Sequence, residues 1–479
     1  MRHAKIVCTL GPASKGYDNI RRLIEAGMDV ARLNFSHGDH QTHRQNLEDV
    51  RRAARDSGKV VAVLADLSGP KIRIGDLPGG QVELKPGETI AFTTVPDVGE
   101  PLRVSVNYRD LPAEASKGSI IFADDGVLQF TVISVTDTEI VCRAVNGGIL
   151  KSRKGLNVPH GGRNIPALTA KDRVDLEFGK EIGVDFFALS FVRRAADVLE
   201  AKSLAGEIPV IAKIEKPQAL ESLEEIAAVA DGIMVARGDL GVELGAEKVP
   251  LAQKRMIKEM NRRAKPAIVA TQMLESMVQH PRPTRAEVSD IANAVLDGAD
   301  ALMLSAESAA GKYPVESVAQ MARIIAEVEG SAIRAGMLHS PAKLESPSFE
   351  QAIAHAAAQA AIGLDLAAVV VYSAKGRSPA LVSAFRPAAN IFGVSDNDAV
   401  LRRMALNWGV IPIEVRLFEG EELALRQVES KLLGSGLAAP GDQVAVVCGL
   451  EFCKPPGSTM MKLWTITDGS AGTDACSIP

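Results

Sequence analysis

The sequence has few cysteines and few aromatic residues, and it has no long hydrophobic run. Its cysteines, Cys8, Cys142, Cys448, Cys453 and Cys476, are scattered and form neither a Cys-x-x-Cys pair nor a Cys/His cluster. This pattern argues against a disulfide framework and a structural zinc site. No apolar stretch approaches the roughly 20 residues that a membrane-spanning helix needs. Aromatic residues make up 4% of the chain, which disfavours a base-stacking surface.

The chain also lacks a strong excess of charge of either sign. It has 54 Lys and Arg residues against 59 Asp and Glu residues, which gives a net charge of -5. This mildly acidic balance argues against nucleic acid or an anionic membrane as the main partner. The opening MRHAKIVCTL enters a strand-like run directly, without a charged and then apolar leader. Together with the unpaired cysteines, these features predict a cytoplasmic protein.

What the sequence does contain is a series of eight short apolar segments, separated by segments with helical spacing of apolar residues. The eight are KIVCTL (5–10), DVARLNFS (29–36), VVAVLADL (60–67), FFALSF (186–191), PVIAKIE (209–215), GIMVARGDL (232–240), PAIVATQM (266–273) and ALMLSAE (301–307). Alternating strands and helices predict a parallel sheet of βαβ units. Eight such strands close a (β/α)8 TIM barrel, which is the predicted α/β fold. The alternative is an open doubly wound sheet.

The third and fourth predicted strands are separated by an unusually long segment. Residues 70–164 alternate apolar and polar positions between PG, DDG and GG turns, and Asp125-Gly126 marks a hairpin. This pattern predicts an all-β domain inserted on the third βα loop, either as a lid or as a passive insertion. The barrel then comprises residues 1–69 and 165–335. A Pro/Ser-bearing linker precedes a predicted C-terminal α/β domain at 340–479.

Polar residues recur at the carboxyl ends of the predicted barrel strands, where the active sites of such barrels form. They are Arg32, Asn34, Ser36, Asp66, Lys213, Glu215, Arg237, Asp239, Thr271, Ser305 and Glu307. A single charged strand end could equally be a surface ion pair. Burying so many charges is costly unless a ligand or metal completes them, so the set predicts a functional site.

The residue types at these strand ends point to phosphoryl transfer. Glu215 and Asp239 follow adjacent strands, and two carboxylates with open coordination positions suit Mg²⁺ completed by substrate phosphate. Among the histidines only His37 lies near these ends, which disfavours zinc and non-haem iron. Arg32 and Lys213 would face phosphate or carboxylate oxygens. The chain has neither a P-loop nor a kinase-type glycine loop, so a nucleotide would be held in another way.

Nine motifs carry a resemblance to a known family. In chain order they are KIVCTLGPAS, ARLNFSHGDH, DLSGPKIRIG, KGLNVP, IPALTAKD, IAKIEKP, MVARGDLGVE, ATQMLESM and PRPTRAEVSDIANAVLDGADALMLSAE. By these motifs the chain resembles the pyruvate kinase family along nearly its whole length. The resemblance implies a barrel with a β lid after the third strand and a C-terminal α/β domain. It also implies a glycolytic homotetramer that converts phosphoenolpyruvate and ADP to pyruvate and ATP.

The resemblance further implies roles for single residues. Lys213 would stabilise the phosphoryl group as it moves, while Glu215 and Asp239 would bind the essential Mg²⁺. Thr271 would lie near the enolate carbon that is later protonated. The implied substrate contacts are Arg32, Lys213, Gly238 and Thr271.

Nucleotide binding and a second Mg²⁺ that arrives with the nucleotide are implied in the same way. The implied nucleotide contacts are Asn34, Phe35, Ser36, His37, Arg73 and Lys154. Asp124, in the Asp-Asp-Gly turn of the lid, would approach the second metal ion, although a turn aspartate is more often only a turn residue. The segment VPHGGRN (158–164) departs from the family's shorter turn and bears on the lid hinge.

One departure from many family members concerns K⁺. Members that need K⁺ hold it with oxygens equivalent to Asn34, Ser36, Asp66 and the carbonyl of Leu67, beside a glutamate. This chain has Lys71 at the position of that glutamate. A fixed ammonium can replace a monovalent cation electrostatically and repels K⁺ next to it. We therefore predict activity without added K⁺.

A polar loop in the C-terminal domain stands between a predicted strand and a predicted helix. Ser373, Lys375, Gly376, Arg377 and Ser378 would lie at the helix N-terminus, which favours anion binding. Family members use this loop for phosphorylated allosteric effectors. The alternative is an ordinary βα turn with exposed charges.

Two other functions compete with phosphoryl transfer between phosphoenolpyruvate and ADP. A different barrel enzyme that handles pyruvate enolate with Mg²⁺, such as an aldolase or lyase, explains Glu215, Asp239 and Arg32 but not the lid or Arg73. A metabolite-binding regulator would have lost Lys213 or a metal ligand, and all are present. Pyruvate formation that depends on both ADP and Mg²⁺ discriminates among the three.

Overall fold

The structure is a computed structural model that describes residues 2–96, 99–159, 161, 165–334, 348–416, 421–449 and 459–467. Most of the linker before the C-terminal domain, part of the VPHGGRN segment, and both Cys453 and Cys476 lie outside the described residues. The chain divides into two compact units. One comprises Met1–Ala65, Ile182–Phe186 and Ile257–Pro479, and the other comprises Asp66–Glu181 and Phe187–Met256.

Eight parallel strands form a closed barrel, so the predicted TIM-type barrel is confirmed and the open sheet is not formed. In chain order, barrel strands one to eight are Lys5–Thr9, Val30–Asn34, Ala62–Asp66, Phe186–Leu189, Val210–Ile214, Gly232–Ala236, Ala267–Ala270 and Ala301–Leu304. Their order around the barrel follows the chain, and strand one pairs with strands two and eight. Nearly every residue of these strands is buried, which explains their continuous apolar runs.

Amphipathic helices alternate with the barrel strands. Tyr17–Ala26 buries Ile20, Leu23 and Ile24 on one face and ends at Gly27, whose φ of 127° suits glycine. The other α-helices of the barrel region are His40–Asp56, Ala170–Ile182, Ala195–Ala205, Pro217–Glu221, Leu223–Val229, Arg237–Leu244, Val249–Arg262, Arg285–Leu296, Ala306–Ala309 and Pro314–Arg334. None of the helices in the described part of the chain combines the length and apolarity needed to cross a bilayer.

The insertion after barrel strand three is rich in β-structure, as predicted. Its strands are Gln81–Leu84, Thr89–Thr93, Arg103–Ser105, Ile120–Ala123, Leu128–Val135, Glu139–Ala144, Gly148–Lys151 and Leu156–Asn157, with one short helix at Leu111–Glu114. Six strands form one sheet, and Gln81–Leu84 pairs with Gly148–Lys151. The predicted hairpin is present, because Ala123 pairs with Leu128 across residues 124–127. A separate apolar core includes Phe92 and Phe130, whose rings meet edge to face at 5.5 Å.

The C-terminal residues form a five-stranded α/β layer. The strands lie in the order Val410–Glu414, Asn390–Ser395, Ala368–Tyr372, Gln443–Cys448 and Met460–Thr465, and only the last is antiparallel to its neighbour. The helices are Phe349–Gly363, Arg377–Ala384, Asp398–Met404 and Glu421–Gly434. Apolar clusters on both faces of the sheet make this an independent core.

A buried polar junction joins the C-terminal layer to the start of the chain within the first compact unit. The Glu329 carboxylate accepts hydrogen bonds from the amides of His3 (2.6 Å) and Ala4 (2.8 Å) and from Trp408 Nε1 (2.9 Å). Arg386 donates to Asp300 Oδ1 at 2.9 Å. Because these groups are buried and hydrogen-bonded, they fix the layer to the rim of the barrel at which strands one and eight begin.

Candidate active site

A buried ammonium cluster lies where barrel strand five ends. Lys213 Nζ is 3.2 Å from Asp66 Oδ1, 3.0 Å from Glu215 Oε1 and 2.7 Å from Ser190 Oγ. The Lys213 side chain is 12% exposed, and the Asp66 and Glu215 side chains are almost fully buried. The spacing of two along the strand places Lys213 and Glu215 on one face, as the sequence predicted.

A hydrogen bond holds the Glu215 carboxylate in place, and the surroundings of this carboxylate raise its pKa. Its Oε2 accepts a hydrogen bond from the amide of Phe191 at 2.7 Å. Burial raises the pKa of Glu215, Lys213 opposes that rise, and the negative charge of Asp239 adds to it. Two neighbouring carboxylates that repel each other would both be stabilised by a divalent cation.

The donor set fits a metal that the substrate completes. The described residues contain no group of three or more His, Cys, Asp or Glu side chains placed to hold an ion. As a pair, Glu215 and Asp239 would supply two oxygen ligands and leave the remaining positions to substrate and water. That arrangement suits Mg²⁺, which retains several non-protein ligands.

Ser190 is a site residue that the sequence reasoning missed. Its hydroxyl donates to the carbonyl of Leu67 at 2.7 Å and accepts from Lys213 Nζ. The next residue, Phe191, has a left-handed φ of 55° and turns its amide to Glu215. Barrel strand four had no polar end in the prediction, although its segment FFALSF contains this serine.

Asp239 lies in the first turn of helix Arg237–Leu244, directly after barrel strand six. A carboxylate is favourable there because it faces the positive end of the helix dipole. Lys71 Nζ lies 3.5 Å from Asp239 Oδ1 and 3.0 Å from Asp125 Oδ1. Burial lowers the pKa of Lys71, but the two carboxylates outweigh it and the net shift is upward. Lys71 is thus a held ammonium beside the candidate metal ligand.

Two of the predicted nucleotide-site residues and the lid-turn aspartate lie on neighbouring segments of the insertion. Lys154 Nζ is 2.7 Å from Asp124 Oδ1. Arg73 donates through Nη1 to the carbonyl of Arg153 at 3.1 Å, and its backbone forms a bridge with Gly155. The structure therefore brings Arg73, Lys154 and Asp124 onto one patch of the insertion.

A second, deeper contact anchors the insertion to helix Arg237–Leu244. Glu243 Oε1 accepts from Lys216 Nζ at 2.5 Å and from Asn157 Nδ2 at 3.1 Å. All three residues are buried. Because Asn157 belongs to the last strand of the insertion, this contact fixes the segment that leads from the insertion back to the barrel.

The predicted residues around barrel strand two belong to the other compact unit. Arg32 is buried and donates to Thr9 Oγ1 at 2.9 Å. Asn34 ends the strand, and its Oδ1 accepts from the amide of Ser36 at 3.1 Å. Phe35 is buried, whereas Ser36 and His37 are exposed. The strand therefore presents its polar residues at its carboxyl end.

Thr271 follows barrel strand seven in the same unit. Thr271 and Gln272 have left-handed φ values of 71° and 54°, a conformation that is strained for such residues. The buried Glu307 carboxylate accepts from the amides of Leu274 (3.1 Å) and Ser305 (2.7 Å) and so stabilises the loop. Ser305 and Glu307, predicted as strand-eight ends, thus have a structural part in positioning this loop.

The polar loop of the C-terminal layer begins a helix as predicted. Gly376, with a φ of 78°, precedes Arg377–Ala384, and its amide donates to Ser373 Oγ at 2.9 Å. Lys375 is exposed and Ser378 is buried. Arg377 Nε lies 3.4 Å from Glu350 Oε2. Gly376 is therefore the N-cap of this helix, and two exposed cationic residues, Lys375 and Arg377, flank it.

A closed (β/α)8 barrel with a buried lysine–carboxylate cluster at the carboxyl ends of its strands has the architecture of a barrel enzyme. The family model "Pyruvate kinase, barrel domain" matches residues 1–318, and "Pyruvate kinase, alpha/beta domain" matches residues 351–463. The chain belongs to the pyruvate kinase family. It is an enzyme of the phosphotransferase class.

Individual relatives agree with this assignment. A pyruvate kinase of Geobacillus stearothermophilus is 44% identical over 474 residues, covering 98% of this chain and 81% of that protein. A pyruvate kinase of Agrobacterium vitis is 44% identical over 460 residues, covering 96% and 95%. The crystal structure of a pyruvate kinase from Cryptosporidium parvum superposes with a TM-score of 0.91 at 34% identity, over 97% of this chain and 96% of that one.

Proposed function

We propose that this protein transfers the phosphoryl group of phosphoenolpyruvate to ADP and so forms pyruvate and ATP, the last step of glycolysis. The observation that carries the proposal is the Lys213 ammonium, held within 3.2 Å of two buried carboxylates at the barrel strand ends. A preorganised cation in a site with little water stabilises a migrating phosphoryl group without any rearrangement. Lys213 therefore acts on the phosphoryl oxygens during transfer.

Glu215 and Asp239 would hold Mg²⁺, which supplies positive charge for phosphate and enolate oxygens when it is bound. Phe191 orients Glu215 through its amide, and the helix start orients Asp239. The metal that accompanies the nucleotide would approach Asp124 in the lid turn. These roles assign two metal ions, one of which enters with ADP.

The remaining contacts are those that the family resemblance implies. Arg32 and Gly238 bind the substrate, and Thr271 helps to deliver a proton to the enolate carbon once the phosphoryl group has left. A β-phosphate oxygen of ADP forms the new bond to phosphorus as the bond to the enol oxygen breaks, which leaves the enolate of pyruvate. A proton derived from solvent then forms the carbon–hydrogen bond of the product. The proposed nucleotide contacts are Asn34, Phe35, Ser36, His37, Arg73 and Lys154.

We also propose that the enzyme needs no K⁺. Lys71 is held between two carboxylates, and the carbonyl of Leu67 already accepts a hydrogen bond from Ser190. Lys71 also stands at the sequence position where K⁺-dependent family members carry a glutamate, and a fixed ammonium there would supply positive charge and repel a second cation.

Regulation and assembly complete the proposal. The loop of Ser373, Lys375, Gly376, Arg377 and Ser378 would bind a phosphorylated effector, which the helix start and the exposed Lys375 and Arg377 support. The enzyme would act in the cytoplasm as a homotetramer. Sedimentation of the purified chain with and without sugar phosphates tests both the assembly and the effector.

The central test is pyruvate formation from phosphoenolpyruvate in K⁺-free buffer. We expect pyruvate and ATP in equal amounts, and we expect no product when either ADP or Mg²⁺ is omitted. Release of pyruvate without ADP would instead indicate a lyase or phosphatase. Binding of phosphoenolpyruvate without any turnover would indicate a metabolite-binding regulator.

A further inference from the structure

The tip of the lid hairpin has an unusual backbone. Asp124, Asp125 and Gly126 have consecutive left-handed φ values of 53°, 53° and 90°. Aspartate tolerates this conformation better than most residues, which alone accounts for an aspartate at position 125. The conformation does not account for the position of the Asp125 carboxylate, whose Oδ1 lies 3.0 Å from Lys71 Nζ.

Lys71 connects this turn to the candidate metal ligand. The same Nζ lies 3.5 Å from Asp239 Oδ1, so one ammonium is shared between a lid carboxylate and a site carboxylate. The Lys71 side chain is 23% exposed and passes over Gly155, where an added Cβ would lie 2.5 Å from Lys71 Cε. A side chain at position 155 would therefore displace the end of the lysine from this path.

The lid turn also packs directly against the helix that carries Asp239. An added Cβ at Gly126 would lie 3.1 Å from Val242 Cγ2, within helix Arg237–Leu244. Three elements that are distant in the chain thus meet: the loop after barrel strand three, the lid turn and the helix after barrel strand six. Lys71 is the side chain that bonds to carboxylates on both of the other elements.

We propose that Asp125 is a positioning residue that acts through Lys71. Asp125 holds the lid turn against helix Arg237–Leu244, and by sharing the ammonium it limits how strongly Lys71 pairs with Asp239. Without the Asp125 charge, Lys71 pairs more strongly with Asp239 and competes with a divalent ion for that carboxylate. The metal part of this inference rests on the proposed function, whereas the lid contact does not.

The test uses the full chain with Asp125→Asn, which removes the charge and keeps a residue that tolerates a left-handed φ. The matched control is Glu139→Gln, because Glu139 pairs with Arg103 at 2.6 Å within the lid sheet. Hydrogen exchange is followed at the amides of Asp124 and Val127, which donate to the carbonyls of Gly155 and Asp124. Mn²⁺ binding is titrated in parallel by electron paramagnetic resonance, without substrates.

We expect exchange at both amides to become about threefold to tenfold faster in Asp125→Asn, because a partly exposed ion pair contributes modestly. Mn²⁺ affinity should fall by a similar factor. Adding Lys71→Met to Asp125→Asn should restore Mn²⁺ affinity, since the competing ammonium is then absent. Glu139→Gln should leave both measurements unchanged.

Unchanged exchange in Asp125→Asn, or equally faster exchange in Glu139→Gln, would overturn the positioning role. Faster exchange with unchanged Mn²⁺ affinity would overturn the competition for Asp239. If Mn²⁺ failed to bind the wild-type chain while exchange changed as expected, the lid contact would stand and the metal assignment in the proposed function would fail.

Discussion

Two groups of ion pairs in the same compact unit differ in their exposure. The cluster of Lys213, Asp66 and Glu215 has side chains that are 12%, 1% and 2% exposed, whereas Asp125, the lid partner of Lys71, is 71% exposed. Buried pairs are costly to break because each lost partner leaves an uncompensated charge. Exposed pairs form and break at little cost. The comparison separates charges that are buried at the barrel strand ends from a partly exposed pair that joins the insertion to the loop after barrel strand three.

Helix Arg237–Leu244 shows the same contrast along its own length. Near its start, Asp239 shares Lys71 with the exposed lid turn. Near its end, buried Glu243 holds Lys216 and Asn157. One helix therefore carries both an exposed contact and a buried contact with the insertion, so the two can be perturbed separately.

The largest expected effect comes from the buried cluster. Lys213→Met should lower kcat by about 10³-fold or more, about 4 kcal/mol, because the cation that faces the phosphoryl group is lost. Phosphoenolpyruvate should still bind, as measured by equilibrium titration. Lys213→Arg, which retains the charge but not its position, serves as the matched variant. Near-normal turnover of Lys213→Met would reject the role of Lys213.

Loss of the buried contact between Glu243 and Lys216 should lower the stability of the protein. Lys216→Met leaves the Glu243 carboxylate buried with Asn157 and without its cation, which should cost about 3–5 kcal/mol of unfolding free energy. Urea unfolding measures the change. Lys180→Met is the control, because Lys180 pairs with Glu177 on the surface and its loss should leave the midpoint unchanged. A small effect at Lys216 would mean that the Glu243 carboxylate does not depend on this cation, and the contrast along the helix would fail.

The variant Lys71→Glu tests the partly exposed ion pair between Lys71 and Asp125. We expect the wild type to be active without K⁺ and the variant to be activated more than tenfold by K⁺, equivalent to about 1.4 kcal/mol. The carboxylate would bring the charge that attracts a monovalent cation. Titrations in buffers free of K⁺ and Na⁺ measure this, with Na⁺ as the comparison ion. Activation of the wild type by more than tenfold would refute the substitution of K⁺ by Lys71.

Much of this arrangement was predictable because it depends on local periodicity. Strand-helix alternation gave the barrel, and the spacing of two in Lys213-x-Glu215 placed both on one strand face. The hairpin at Asp125-Gly126 followed from turn chemistry. Each of these features depends on residues that are close in the chain.

The remaining features depend on contacts between residues that are far apart in the chain. Ser190 bonds to Lys213 across 23 positions, and the Lys71–Asp239 contact spans a far longer stretch of chain. Nothing in the local pattern of Ser190 distinguishes it from an ordinary strand-end serine. The left-handed conformation of Phe191 is not readable from the local sequence either, because it accompanies a hydrogen bond to Glu215, 24 positions away.

The smallest effect is expected for Asp76→Asn. Arg153 bonds both Asp76 oxygens at 2.9 Å, which is a better geometry than that of the pair between Lys71 and Asp125. Both partners are more than half exposed, however, and neither contacts helix Arg237–Leu244 through this pair. The unfolding midpoint, kcat and KM for ADP should therefore match those of the wild type. If Asp76→Asn instead accelerated amide exchange at the lid turn as Asp125→Asn does, loss of any lid charge would suffice, and the contact with Lys71 would have no special part in holding the turn.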